Sequence, residues 1–318
     1  MTTELPTRLL GSTGCDVSAI GLGTWSMGGR WWGKPDDKQS VRTIQKAVDL
    51  GIHFFDTADF YGFGHSEELL AKALGKKRQD VFIATKVGLR WNRKGKIRHD
   101  LSREYIAQAV DASLQRLQTD VIDLYQIHWP DVGIPIEETA EALLACVQSG
   151  KVRFLGASNL SLRQLQAYRK LIPLAVLQPP LNLFERFAEV QLLPACHKEN
   201  IGVVNYSTLC KGLLSGKFDV NTELKETVRR RDPLFNGRTF ARNLKIVQRL
   251  NEYAANFDRT VTELAIAWVL AHPAISCALC GARRPEHLDD QVKAADWHLT
   301  HTDLQEIEKI VTQTEAEC

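Results

Sequence analysis

Four residues in this chain have types and spacing that could do chemistry together. Asp56 and Tyr61 lie in IHFFDTADFYGFGHSEELL, Lys86 in FIATKVG and His128 in DLYQIHWPD. An acid, a phenol, an amine and an imidazole can jointly deliver a proton to a carbonyl oxygen. A free tyrosine titrates near pH 10, about three units too high for easy proton exchange at neutral pH. An ammonium within hydrogen-bonding range typically lowers such a value by about 1–3 units, provided the pair is partly buried. The expectation is that Tyr61 is the acid, made more acidic by Lys86. Asp56 would keep Lys86 protonated, and His128 would polarise the carbonyl. Each residue alone has a plainer reading: Asp56 as a helix cap, Lys86 snorkelling at a strand end, His128 as a core histidine, Tyr61 as a loop aromatic. Their placement after consecutive apolar runs favours the joint reading.

The elements that must position them form a repeated strand-then-helix pattern. SAIGLGT, IHFFDT, DVFIATK, DVIDLYQIH, VRFLGASN, LAVLQPP, IGVVNYS and AISCALCGA read as eight strands. Between them, QSVRTIQKAVDLG ends on Gly51 as a helix stop, and LSREYIAQAVDASLQRLQ starts from Ser102 as an N-cap. The strands are not clean apolar/polar alternators, which suits a parallel sheet covered on both faces. Eight units without a break in composition predict a closed (β/α)8 TIM barrel, one domain over residues 1–318. Such a barrel needs about 250 residues. The surplus is assigned to an N-terminal hairpin cap turning at Gly11 and Gly14, a long loop after strand 7 from Lys211 to Asn243, and an extra C-terminal helix in THTDLQEIEKIVTQ. A doubly wound nucleotide-binding sheet is the competing fold. Gly21 and Gly23 follow a strand, but the third glycine of the fingerprint is missing and Trp25 would obstruct a pyrophosphate.

Composition narrows the function classes. The chain has 318 residues, net charge +2, 44% hydrophobic and 25% charged residues, ordinary for a soluble globular protein. Nothing points to nucleic acid or to a membrane surface. MTTELPTRLL does not read as a secretory signal, and no run reaches the roughly 18 apolar residues of a membrane span. The expected compartment is the cytoplasm. Seven scattered cysteines argue for reduced thiols. Cys277 and Cys280 lie on one strand, where positions three apart face opposite sides, against a shared redox or metal role. The nine histidines show no H-x-H or H-E-x-x-H spacing, so no metal site is expected.

FDTADFYG, ATKVG, DLYQIHWPD, GASN and NYSTLCKGLLSGKF, in this order, resemble motifs of the aldo-keto reductases over nearly the whole length. The resemblance implies a (β/α)8 barrel and NADPH-dependent reduction of aldehydes and ketones. It places Asp56, Tyr61, Lys86 and His128 at the catalytic positions, with hydride from nicotinamide C4 and a proton from Tyr61. Ser158, Asn159 and Gln178 have side chains suited to a carboxamide, and the resemblance assigns them to the nicotinamide amide. It stacks Tyr206 on the ring and places Gly23, Thr24, Trp25 and Asp56 around the cofactor. Ser207, Leu209, Gly212, Leu213 and Lys217 match the segment that holds the pyrophosphate. Gly281, Arg283, His287, Asp290 and Gln291 match the adenosine end. Arg283 is the choice for the 2′-phosphate because its planar fork suits phosphate. VRRRDPLFNGR reads either as a solvated basic loop or as a lid over the cofactor.

On the substrate side, Trp25, Trp31, Trp32, Phe60, Trp91 and Trp129 fall in or near mouth-forming loops. Trp25, Tyr61, His128 and Trp129 are the expected substrate contacts. This suits small aliphatic or aromatic aldehydes, with the protein a monomer or weak homo-oligomer. Two other classes stay open. A cofactor-sensing regulatory subunit would keep similar residues, as the barrel-shaped β subunits of potassium channels do. A Schiff-base lyase would use Lys86 as nucleophile, which the neighbouring Asp56 disfavours because the lysine must then be neutral.

Overall fold

The structure, a computed structural model, describes residues 5–317. Residues 1–4 of the expected N-terminal cap, and Cys318, lie outside the described residues. Eight parallel strands close into a barrel: β1 (Ile20–Gly23), β2 (Phe54–Asp56), β3 (Phe82–Val87), β4 (Ile122–Ile127), β5 (Val152–Ser158), β6 (Leu174–Gln178), β7 (Gly202–Asn205) and β8 (Ile275–Gly281). Each pairs with its sequence neighbour, and β8 closes on β1 through Gly281 opposite Gly23.

Helices follow each of the first six strands: α1 (Asp37–Asp49), α2 (His65–Leu74), α3 (Arg103–Leu117), α4 (Ile136–Gln148), α5 (Leu162–Arg169) and α6 (Phe187–Lys198). Their ends obey local chemistry. The Ser102 side chain accepts from the Tyr105 amide at the start of α3, as expected of an N-cap. Beyond α1, Gly51 takes φ +84°, the left-handed position that ends a helix.

Alternation along the strands decides which side chains enter the barrel. Phe54 faces the interior cluster, Phe55 the helices, and so Asp56 turns inward again. On β3, Phe82 and Ala84 face in and Ile83 and Val87 face out, which sends Lys86 inward. On β4, Leu124 faces in and Tyr125 and Ile127 face out, so His128 follows inward. Asp56, Lys86 and His128 therefore meet at the carboxyl end of the strands, where the loops of such barrels carry function. Phe54, Phe82 and Phe154 stack below them with ring centroids 5.4 and 6.3 Å apart.

The barrel's other end is closed by a hairpin of Thr7–Leu9 and Asp16–Ser18. Leu10 and Val17 drop into the interior cluster and are fully buried. Ser276 donates to the Leu9 carbonyl and Arg8 to the Ile275 carbonyl. At Gly11, φ is +52° and an added Cβ would stand 2.1 Å from the Gly202 amide nitrogen.

Two features differ from the sequence reading. A second hairpin, Leu89–Trp91 with Ile97–His99, stands at the mouth after β3. The expected loop from Lys211 to Asn243 contains a short helix, α7 (Thr227–Arg230), and the start of α8 (Gly237–Ala255). The polar, arginine-rich opening of α8 obscures its periodicity. A further helix, α9 (Val261–Leu270), precedes β8 and is buried along its whole length. Helix α10 (His287–Lys293) follows β8, and α11 (His301–Glu317) is the expected C-terminal helix. Cys277 lies in the interior cluster and Cys280 in the outer one, both free.

Candidate active site

Lys86 is 1% exposed, and its ammonium organises the open end. Nζ donates to both Asp56 carboxylate oxygens at 2.8 and 2.7 Å and to the Thr57 carbonyl at 2.8 Å. It also lies 3.2 Å from the Tyr61 hydroxyl oxygen. A bidentate ion pair of this kind is maintained only because every partner is satisfied; either ion left alone would be costly. Gln178 Nε2 donates to Asp56 Oδ1 at 2.8 Å, fixing the carboxylate from the far side of the barrel.

Tyr61 reaches Lys86 from the loop after β2. Gly28 and Gly62 make that loop's path possible: an added Cβ on Gly62 would meet the Gly28 carbonyl oxygen at 2.5 Å, and Gly62 holds φ +64°. The His128 ring stands edge-on to Tyr61 with centroids 5.7 Å apart.

The electrostatics correct one expectation. Burial pushes the Tyr61 phenol well above its ordinary value, and the charges of Asp56 and Asp59 push the same way. The ammonium is present, but desolvation of the phenolate outweighs it. Tyr61 is thus held protonated, not made acidic. Burial lowers Lys86, opposed by Asp56. Burial, with Lys86 and His99, holds His128 well below the usual histidine range, so its ring is neutral. His128 Nδ1 is buried without a protein partner.

A cleft of about 590 Å³ runs from these residues across the mouth. Asn159 Nδ2 donates to the His128 carbonyl and to Ser158 Oγ, while Oδ1 accepts from the Tyr206 hydroxyl at 2.8 Å. Ser158 Oγ donates to the Gln178 carbonyl. The three side chains expected to hold a carboxamide are therefore tied to one another and to the end that holds Asp56 and His128. Gln178 doubles as the support of Asp56, a role its sequence context did not indicate.

Gly23, Trp25, Asp56, Tyr206, Ser207, Leu209, Gly212 and Lys217 line the cleft, as do Gly281, Arg283, His287, Asp290 and Gln291. Two expected cofactor residues do not. Thr24 is buried, its hydroxyl donating to the Asp56 carbonyl and accepting from Ser66. The Leu213 side chain is fully buried in the outer core.

The far end is cationic. Lys217, Arg229 and Arg283 all line the cleft. Arg229 belongs to the basic segment expected as either a solvated loop or a lid over the cofactor. It is 6% exposed, donates to the Lys211 carbonyl at 2.9 Å, and its guanidinium lies over Trp32 and Phe218. Val228, beside it, donates its amide to the Trp31 carbonyl at 3.3 Å, so the segment spans the mouth. Burial and the charges of Arg229 and Arg283 bring Lys217 down to about 8, against the opposing pull of Glu226.

Aromatic rings build the rest of the mouth. Trp25, Trp32, Phe60 and Trp129 line the cleft. Trp31 packs on Phe60 at 5.2 Å, and Trp91 stacks on Phe63 at 5.0 Å, behind that lining. Among the described residues there is no cluster of metal-ligating side chains and no helix long and apolar enough to cross a membrane.

The arrangement suits a long ligand. The Gly281 position leaves open space where a side chain would stand, and Gly212 at φ +90° brings bare backbone beside Lys217 Nζ. Gln291 Oε1 is a buried acceptor with no partner on the cleft wall. Donors and cations for phosphates, an acceptor for an amino group and a proton source at the opposite end together fit a nicotinamide dinucleotide.

Comparison with known proteins agrees with this geometry. The family model for the aldo/keto reductase family matches residues 19–312. Aldo-keto reductase YhdN of Bacillus subtilis (strain 168) is 42% identical over 309 residues, 96% of this chain and 93% of its own. An NADH-specific methylglyoxal reductase of Escherichia coli (strain K12) is 34% identical, over 92% and 94% of the two chains. Among solved structures, the glycerol dehydrogenase AKR11B4 from Gluconobacter oxydans superposes with a TM-score of 0.91 at 40% identity, covering 97% of this chain and 95% of that one. An aldo/keto reductase from Klebsiella pneumoniae, in complex with NADP and acetate, gives 0.74 at 28% identity, covering 96% and 95%. With matches of this identity and coverage, the chain belongs to the aldo/keto reductase family.

Proposed function

We propose that this chain reduces small aldehydes and ketones to alcohols with NADPH, which lies in the cleft between Tyr61 and Arg283. The observation that carries this reading is the Lys86 ammonium, buried at the open end and joined at once to Asp56 and to the Tyr61 hydroxyl. When bound, the nicotinamide supplies the hydride. The protein supplies position and the proton.

Tyr61, kept protonated by burial, donates to the substrate oxygen as negative charge develops there. Lys86, 3.2 Å away, stabilises the phenolate that remains. Asp56 keeps Lys86 charged, and Gln178 keeps Asp56 aimed. His128, neutral, has one ring N–H with which to hold the carbonyl beside Tyr61. Asn159, Ser158 and Gln178 would orient the carboxamide, Tyr206 would lie against the ring, and Lys217 and Arg229 would meet the phosphates. Arg283 would take the 2′-phosphate and Gln291 the adenine amino group. Trp25, Phe60 and Trp129 would exclude water from the carbonyl.

Relatives named for methylglyoxal and for glycerol make small polar carbonyl compounds the first substrates to try. One relative is named NADH-specific. The cations at the far end of this cleft support NADPH here. The regulatory-subunit reading gains no support from the comparisons.

The test follows the loss of reduced-nicotinamide absorbance with an aldehyde panel and each cofactor. The expected result is turnover with NADPH exceeding that with NADH. Tyr61→Phe should lower kcat by about 10²–10⁴-fold, the usual worth of a positioned acid, with NADPH binding retained. Near-normal turnover of that variant would refute the role of Tyr61.

A further inference from the structure

Three cations converge at the far end of the cleft, and one carboxylate of the protein already sits among them. Glu226 immediately precedes α7 on the segment that spans the mouth. Its Oε2 pairs with Arg229 at 2.6 Å, and its Oε1 lies 3.6 Å from Arg283 on the opposite wall. Lys217 Nζ and Arg229 Nη2 both lie close to Gly212, and the charges of Arg229 and Arg283 both act on Lys217. Glu226 therefore bridges Arg229 on the α7 segment to Arg283 on the barrel side of the cleft.

We propose that Glu226 is a built-in competitor for the cofactor's 2′-phosphate: its carboxylate holds Arg283 in the free protein and opposes a phosphate that arrives there. The inference rests on the nucleotide reading given above. Gathered without a counter-ion, the three cations would repel one another, and one carboxylate relieves part of that repulsion. A phosphate monoester brings about 1.5–2 negative charges and relieves it more completely. Once the phosphate engages Arg283, the carboxylate beside it is a like charge at short range. NADH has a hydroxyl at that position; it meets Glu226 only through Arg229 and the phosphates both nucleotides share, so the contact with Arg283 is where the two differ. Glu226 thus narrows the preference that Arg283 creates, and its removal should widen it.

Binding of NADPH and of NADH to the purified protein, read by quenching of tryptophan fluorescence, tests this. Glu226→Gln should tighten NADPH by about five- to tenfold and change NADH by less than about twofold. Glu223→Gln, which removes an exposed charge from the same segment, should change neither. In the background of Arg283→Ala, Glu226→Gln should no longer favour NADPH over NADH, since that preference runs through the contact between Glu226 and Arg283. Unchanged or weaker NADPH binding by Glu226→Gln, or equal tightening of both nucleotides, would overturn the competition while leaving the cofactor assignment intact. If the wild-type protein binds neither nucleotide, the cofactor assignment itself falls, and this inference with it.

Discussion

At the residue scale, Lys86 is a charge that the core tolerates for the sake of its partners. Asp56 occupies two of its donor positions and the Thr57 carbonyl another, so the ammonium is satisfied before any ligand arrives. Removing the cation leaves a buried carboxylate without a counter-charge. Lys86→Met should cost about 3–5 kcal/mol, the usual penalty for breaking one side of a buried pair. Lys86→Met with Asp56→Asn should recover most of that stability, because both charges are then gone. Activity should stay lost in the double variant, since nothing remains to stabilise the Tyr61 phenolate. Denaturant unfolding and turnover, measured on the same preparations, separate the two effects. A double variant no more stable than the single one would contradict the satisfied-pair argument. The sequence announced these residues because Asp56, Lys86 and His128 end or follow successive strands and Tyr61 lies in the loop after the first of them. It misjudged the balance on Tyr61. An adjacent amine can be read from spacing, but the depth of burial, the largest influence on Tyr61, arises only when the chain has folded.

At the scale of elements, the segment carrying α7 decides how the nucleotide end behaves. It brings Arg229 under Trp32 and beside Lys217, and crosses to Trp31 by a backbone hydrogen bond. The crowding lowers Lys217 to about 8. Below that pH the free protein already carries the ammonium that a phosphate needs. Above it, binding must take up a proton, so affinity falls as pH rises. The Kd for NADPH should climb above pH 8, approaching about tenfold per unit for a single coupled proton. Lys217→Arg should flatten the profile, because a guanidinium stays charged throughout. Isothermal calorimetry in buffers of different ionisation heat would count the proton directly. A flat wild-type profile would show that Lys217 does not meet the phosphates. This element was poorly legible in the sequence. VRRRDPLFNGR has the composition of a solvated loop, and the burial of Arg229 depends on Phe218 and on Trp32, which is distant from it in the chain. The hairpin Leu89–Trp91 with Ile97–His99 was missed for a related reason: KVGLRWNRKGKIRHD is short, basic and turn-rich, with little apolar alternation.

At the scale of the whole molecule, the barrel was legible because eight aliphatic runs recur with helices between them. Which side of each strand faces inward was not. Phe54 and Phe55 are equally apolar, and both faces of the sheet are covered, so alternation carries little signal. The closed end rests on the N-terminal hairpin. Leu10→Ala should cost about 2–5 kcal/mol, as a fully buried leucine with no neighbour free to fill its place. KM and kcat should stay unchanged while the protein remains folded, because the site is built at the opposite end. Thermal unfolding alongside steady-state kinetics checks both halves of that statement, and a large rise in KM would show the two ends to be coupled. The plugged base also has a bearing on traffic. With Leu10 and Val17 stopping one end, the cleft among the described residues opens at the other, and whatever is used deep inside it must enter and leave past whatever sits nearer the threshold. Of two ligands sharing such a passage, the deeper one has to come first and go last, so the sequence of binding and release is imposed by the shape of the vessel itself.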